Sequence, residues 1–540
     1  SYADGIYRGF YYDGGIEQIA IQFELQDGVF QSVVYRGVKY KDGDYMSDDA
    51  SDAQKAALRQ YRELAAYLVG KGVDAIDDLY APYGIVEDID AVTTATMQSS
   101  KLISALWDGL NRRPFKLLST AKLPAAGDFA DGVYRGSYME DGEMAVLTRE
   151  SITVYTDQGQ PVTKKHHHVD WDIGAAEKGG YAHFMLKEIF EQPRAIREAT
   201  AARLQGGRVI LQDLTMTEEE IRNIGRIIII ACGSSYHVGM VSKYFLESLL
   251  RVPVAVSLAS EFRYCDPIVD EHTLVIVISQ SGETADTLAA LRQAKKLGAR
   301  TLGVVNVVGS SIARAADYVL YTYAGPEIAV ASTKAYMVQL CVLYLFALRL
   351  AYARGQLTEE KTKYYTAQLL HAPEVIKPRL ADCEQIKYLA SRYVNTQSCF
   401  FIGRGFDYAL SLEGSLKLKE ISYVHSDAYA AGELKHGTIS LVTDGVPVIA
   451  LATQKQVYEK TISNAKETKS RGAKVLLFTT QDAVVPDGVA DYVVRLDDYD
   501  DLLMPLQLIV PLQLFAYYMA VLRGCDVDKP RNLAKSVTVE

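Results

Sequence analysis

Residues 274–298 read LVIVISQSGETADTLAALRQAKKLG. Five apolar residues without alternation form a strand buried on both faces, as in a parallel sheet covered by helices. From Ala285 the apolar spacing turns helical, and Gly298 closes the pattern. Between strand and helix stand Ser279, Gln280, Ser281, Gly282 and Thr284, with no lysine near them. A helix N-terminus presents unpaired N–H groups and the positive end of the macrodipole, which suits an anion. Hydroxyls add donors, and glycine admits close backbone approach. Such a turn fits a sugar phosphate, which needs several donors and no metal; simple N-capping is the alternative.

Two more Ser/Thr helix starts flank this one, CGSSYH from Cys232 and VASTKAY from Val330. Ligands of open α/β sheets bind outside the carboxyl ends of the strands, so three such turns converge on one polyol-phosphate pocket. The layout then repeats. RIIIIACGSSYHVGM (226–240) is matched by SCFFIGRGFDYALSLEG (398–414), and TLVIVIS from Thr273 by PVIALAT from Pro447. Both offsets are roughly 171–174 residues, which indicates a duplicated domain. The fold class is therefore α/β. Two tandem three-layer αβα domains with parallel sheets occupy 215–355 and 385–525, bridged by the helix LTEEKTKYYTAQLLHAPEVI. A tail follows over 526–540. Residues 1–121 read differently, with alternating strands, Asp-Gly turns and an amphipathic helix at 52–72, as an α+β domain. KLPAAGDF (122–129) is a linker, and FADGVYRGSYMEDGEMAV (129–146) is a partial second copy of the N-terminal stretch.

With 540 residues the chain exceeds one core, and a formal charge of −10 speaks against nucleic acid and acidic membrane as partners. Six scattered cysteines without a CxxC pair suit a reducing, cytoplasmic setting. The uncharged stretch 502–522 has the length of a membrane span. Pro505, Pro511, Gln507 and Gln513 inside it favour a buried helix. The run His166-His167-His168 is not a metal site, because neighbours on a strand point to opposite faces.

CGSSYHVGM, ISQSGETADTL, VASTKAY, LEGSLKLKEISYVHSDAYAAGELKHG (412–437) and the terminal NLAKSVTVE resemble the isomerase half of the glucosamine-6-phosphate synthase family, built on paired sugar-isomerase (SIS) domains. The resemblance begins near Asp141, and 129–200 reads as a partial repeat, a glutaminase-domain remnant and a linker. It implies fructose 6-phosphate as substrate, a homodimer with a shared active site, and no cofactor for the isomerase unit. Ser279, Gln280, Ser281 and Thr284 would hold the phosphate. Cys232, Gly233, Ser234, Ser235, Val330 and Ser332 would line the sugar site. Lys535 would form a Schiff base with C2, Glu420 would move the proton between C1 and C2 with Lys417 close by, and His436 would open the ring from the other subunit.

That family starts with a catalytic cysteine, whereas no cysteine here precedes Cys232, so glutamine hydrolysis is not carried over. The N-terminal region, with DIDAVTTATMQSSKLISALWDGLNR (88–112), instead resembles an FMN-binding domain that carries covalent flavin. Thr96 is the matching attachment residue, and Thr94 stands where that motif has glycine. The second YRG copy breaks off between Gly136 and Gly142, where the synthase resemblance begins, marking a junction. Two other functions fit parts of the pattern: a hexosamine-phosphate-binding module without turnover, and a flavin carrier through Thr96.

Overall fold

The computed structural model describes residues 177–538 continuously. Ahead of them it describes 2, 4–13, 16–40, 43–80, 85–86, 92–110, 116–117, 135–136, 143–147, 152–156, 160–163 and 167–168. The chain divides into two compact units, Ser1–Gly132 with Thr148–Ser151, and Val133–Leu147 with Ile152–Glu540.

In the first unit, strands Gly5–Asp13, Ile16–Gln26 and Val29–Tyr40 form an antiparallel sheet with two short edge strands. Asp27 and Gly28 both take positive φ, 49° and 75°, the conformation a two-residue hairpin turn demands. Ile19, Ile21, Phe23 and Leu25 alternate onto one face, where they pack with Leu64 and Leu68 of the helix Asp52–Leu68. Ser51 caps that helix in a reciprocal box with Gln54. The helix stops at Leu68 rather than near residue 72. Gly70, at φ 83°, turns the chain back and donates its N–H to Phe30 O. The linker at 122–129 and His166 lie outside the described residues.

The second unit contains two five-stranded parallel sheets of identical order. One runs Val254–Leu258, Arg226–Ala231, Thr273–Ser279, Arg300–Val305, Tyr318–Tyr321. The other runs His425–Ala430, Ser398–Gly403, Pro447–Ala452, Lys474–Thr480, Tyr492–Leu496. In chain order each sheet is 2-1-3-4-5, so the repeat seen in the sequence is a repeated fold. The order reverses between the first and third strands, and that switch point is where open α/β sheets take ligands.

Two features depart from the linear reading. The duplicated domains are not separate bodies joined by one bridging helix, because a single apolar core runs through both and includes residues from each sheet. The bridging helix spans Glu359–Ala381 and buries Leu369 and Ile376 in that core. The stretch assigned to a linker contains the helix Phe184–Ala201, whose Met185, Ile189 and Ile196 are fully buried in the same core.

The candidate span at 502–522 is the core helix Met504–Leu522. Its buried Gln513 donates to Thr333 O and accepts from Gln192, and Gln507 donates to Asp497 O while its Oε1 is buried without a partner. Pro505 sits in the first turn, where no N–H is missed, and Pro511 is accommodated inside the helix. Lys334–Ala353 is equally long and apolar, and is likewise a buried core helix.

Candidate active site

The strand Thr273–Ser279 is buried throughout and delivers Ser279 to the switch point. Ser279 Oγ accepts the Gly282 N–H at 3.0 Å and meets Thr284 Oγ1 at 3.0 Å, while Ser281 Oγ accepts the Glu283 N–H at 3.2 Å. These hydroxyls shape the turn. They do not cap the helix: Thr284 is the N-cap residue of Ala285–Lys296, yet its side chain makes no capping bond. Gly282 has φ 69°, and a Cβ there would lie 2.0 Å from Ser310 Oγ. Gly282→Ala is therefore expected to lower unfolding free energy by about 1–3 kcal/mol through backbone strain and the clash, measured by urea titration.

The neighbouring strand, Arg226–Ala231, brings Cys232 to the start of the helix Gly233–Leu250, again without a side-chain cap. Gly233 takes φ 54°. Ser234 Oγ donates to Glu413 at 2.9 Å, Ser235 Oγ to Gln339 at 3.2 Å, and the Cys232 thiol lies 3.7 Å from Thr287 Oγ1.

The C-terminal segment closes over this crevice. Ala285 N–H donates to Val537 O at 3.1 Å, and Ser536 Oγ to Ser281 Oγ at 3.1 Å. Between these residues and the core, Lys535 Nζ lies 2.5 Å from Glu327 Oε2 and 2.8 Å from Ala329 O. Glu327 is fully buried, and its other oxygen accepts N–H groups from Thr333 and Ala335 at 3.0 and 2.9 Å. Burial opposes its charge, but the Lys535 ammonium and these N–H donors hold it down at about 2. Val330 donates its N–H to Asp528 O at 3.0 Å, and with half-buried Ser332 it belongs to the loop that carries these groups.

A second charged group lies on the helix Phe406–Ser422. Lys417, 1% exposed, lies 2.5 Å from Glu420 Oε2 and 3.6 Å from Glu413 Oε1. Burial works against its charge, but Glu420, Glu413 and Glu327 together raise its pKa above the usual lysine value. Glu413, wholly buried, also accepts Ser234 Oγ and meets His237 Nδ1 at 2.8 Å. This second group thus touches the Cys232 turn through Ser234 and feels the charge of Glu327.

Of the residues singled out from the sequence, Ser279, Gln280, Ser281, Thr284, the Cys232 turn, Val330, Ser332, Lys417, Glu420 and Lys535 belong to these linked segments. His436 does not. It is exposed on the turn Leu434–His436, and no hydrogen bond or ion pair joins it to the others among the described residues. Thr96 lies on the helix Val92–Leu110 of the other unit, with its side chain outside the described residues. Glu413, Glu327, His237 and Glu188 escaped the sequence reading. Glu413 stands four residues before Lys417 and seven before Glu420, so helical spacing could have found it. Glu327 sits alone in GPEIAV and offers no such signal.

In the second sheet a side chain occupies the corresponding turn, beside a cavity lined by Thr453, Tyr458, Ile462 and Thr480. Asp407 occupies the place of Ser235, and Thr453 that of Ser279. The Asp407 carboxylate accepts Thr453 N–H at 2.7 Å, Thr453 Oγ1 at 2.6 Å and Gln454 N–H at 3.3 Å. A side-chain anion thus fills the strand-tip donors, and burial pushes its pKa up to about 6.

The SIS domain family matches residues 220–349 and 393–523. The glutamine–fructose-6-phosphate aminotransferase (isomerizing) of Clostridium acetobutylicum is 48% identical over 473 residues, covering 87% of this chain and 76% of that protein. The chain belongs to the glutamine–fructose-6-phosphate aminotransferase family. The relative from Caldanaerobacter subterraneus is likewise 48% identical, over 471 residues, with 87% of this chain and 76% of its own length covered. Among solved structures, the C-terminal domain of the Francisella tularensis aminotransferase superposes with a TM-score of 0.63 at 39% identity, covering 65% of this chain and all of that one. The aminotransferase alignments are longer than the stretch from Asp141 to the last residue, so the resemblance reaches further toward the N-terminus than the motifs alone suggested.

Proposed function

We propose that the chain converts fructose 6-phosphate toward glucosamine 6-phosphate, using the crevice of the first SIS domain. The observation that carries this is the seat of Lys535, clamped by a buried carboxylate beside a hydroxyl-lined strand tip, with Ser536 touching Ser281. The two uncapped helix starts and the Ser279–Thr284 hydroxyls bind the phosphate without a metal. Lys535 condenses with C2 of the open-chain ketose. Glu420, 21% exposed and steadied by Lys417, carries a proton between C1 and C2, since one carboxylate held against an enediol serves both carbons. Every group in this scheme comes from the chain. All six cysteines are free thiols, in keeping with action in the cytoplasm, where sugar phosphates are held.

The direct test is incubation with fructose 6-phosphate, with and without glutamine or ammonium, followed by identification of the sugar. Glucosamine 6-phosphate with a nitrogen donor, or glucose 6-phosphate without one, is the expected product. Recovery of unchanged substrate under all conditions would leave only a binding module.

The exposure of His436 leads to a second part of the proposal, a homodimer in which each crevice receives His436 from the other copy. Mixing His436→Ala and Lys535→Ala subunits is then expected to restore about a quarter of wild-type turnover. Half of randomly paired dimers would be mixed, each with one intact site of two. Two inactive parents that stay inactive after verified subunit exchange would show that His436 acts in its own subunit or not at all.

A further inference from the structure

We propose that Glu327 is the base that takes the proton from Lys535 before its amine attacks the keto carbon, and that Glu188 positions it. This deepens the Schiff-base reading above and rests on it.

An amine attacks a carbonyl only when neutral, and Lys535 is seated as one half of an ion pair. Its two partners are not equivalent. The Ala329 carbonyl can accept a hydrogen bond but no proton, whereas Glu327 Oε2, 2.5 Å away, can take one. Glu327 is closed off from water, and its Oε1 is engaged by the Thr333 and Ala335 N–H groups, which leaves Oε2 aimed at the lysine. Proton transfer turns an ion pair whose carboxylate is buried and whose lysine is 25% exposed into a neutral pair, and beside a buried carboxylate that exchange is less costly than in water.

The loop that carries Glu327 is held from the helix Phe184–Ala201. Glu188 Oε1 accepts the Ile328 N–H at 2.5 Å and the Ala329 N–H at 3.2 Å, while its Oε2 is buried without a partner. Burial and the Glu327 charge push Glu188 up to about 8, against the pull of those N–H donors and Lys535. Other charges are committed elsewhere. Lys334 bonds Glu191 and Pro326 O, Lys417 bonds Glu420, and Asp528 caps Phe184 and Met185. Lys535 is therefore the cation that keeps Glu327 ionised by direct contact, and once its proton leaves that support is gone.

The step balances as follows. Glu327 removes one proton from the Lys535 ammonium. The amine forms a C–N bond to C2 as the C2=O π bond opens, and one of its N–H protons passes to the C2 oxygen to give the neutral carbinolamine. The carbinolamine hydroxyl takes the proton back from Glu327 and departs as water, leaving a protonated Schiff base and the carboxylate. The C2 oxygen is lost to solvent in this sequence, so loss of 18O from fructose 6-phosphate labelled at C2 reports it directly.

Label loss above the uncatalysed background, followed by mass spectrometry from pH 6 to 9, tests both levels. Lys535→Ala should show none; if it exchanges like wild type, the Schiff-base reading itself falls. Glu327→Gln should exchange at least about 100-fold more slowly than wild type at pH 7 and recover about tenfold per pH unit, as solvent takes over the deprotonation. Wild-type rates in that variant, or equal slowing at every pH, would overturn the role of Glu327 while leaving the Schiff base standing. Should Glu327→Gln fail to fold, the wild-type profile decides: an internal base makes exchange level between pH 6 and 7.5, and a tenfold rise per unit there refutes it. Glu188→Ala should slow exchange about tenfold. Glu188→Gln should restore most of that and remove an inflection near pH 8, and persistence of the inflection would remove Glu188 from the scheme.

Discussion

Replacing Lys535 with arginine is expected to reduce turnover by about 10³- to 10⁵-fold while leaving the fold and the substrate affinity nearly intact. Arginine keeps a cation beside Glu327 but stays protonated, so it preserves the ion pair and removes the nucleophile. Among the described residues, the other buried lysines near the site are committed elsewhere. Lys417 is 1% exposed and clamped by Glu420, and Lys334 is 4% exposed and bound to Glu191. On the proposed reading the phosphate is held at Ser279–Thr284 rather than by Lys535, so KM should move little and kcat should carry the loss. Lys535→Ala is expected to lose the same activity and also some stability, because Glu327 is left buried without its cation. Comparing the two variants separates chemistry from packing. The readouts are steady-state kinetics and reduction of the enzyme–substrate adduct with cyanoborohydride, which should mark the wild type and neither variant. Turnover within tenfold of wild type in the arginine form would mean that no Schiff base is formed.

Glu420→Gln is expected to slow isomerization by about 10²- to 10⁴-fold, the usual contribution of a positioned general base. The amide keeps an acceptor for Lys417 but cannot shuttle a proton. Lys417 would then rely on Glu413, 3.6 Å away, as its remaining carboxylate in a buried site. A stability loss of about 1–3 kcal/mol should accompany the kinetic one, smaller than for a fully buried pair because Glu420 is 21% exposed. Exchange of the C1 hydrogen with deuterated water isolates the proton transfer. The variant should lose that exchange while still giving the cyanoborohydride adduct through Lys535. If C1 exchange persists at the wild-type rate, the proton carrier is another group.

Much of the site could be read from the chain because it is local. The apolar run into Ser279-Gln280-Ser281-Gly282 encodes strand, turn and helix start within a dozen residues, and each piece follows from backbone geometry and side-chain size. Duplication was visible for the same reason, since strand–turn–helix units repeat at a fixed offset. Helix ends were less legible. The helix from Asp52 stops at Leu68 because Gly70 pairs with Phe30 from a distant strand, a contact that local propensity does not contain.

The amino-acid sequence by itself determined the parallel α/β architecture, the hydroxyl-rich turn at a strand tip and the presence of residue types suited to imine and proton-transfer chemistry, because these depend on periodicity and on neighbours within a few positions. Only the tertiary structure decided which groups work together. Glu327 meets Lys535 across about 200 residues of chain, Glu413 meets Ser234 across a similar span, and Asp407 takes the strand-tip donors of the second copy. The physical reason is that the proton affinity of a carboxylate or an amine is set by burial and by the charge beside it, and both are consequences of packing between segments far apart in the chain.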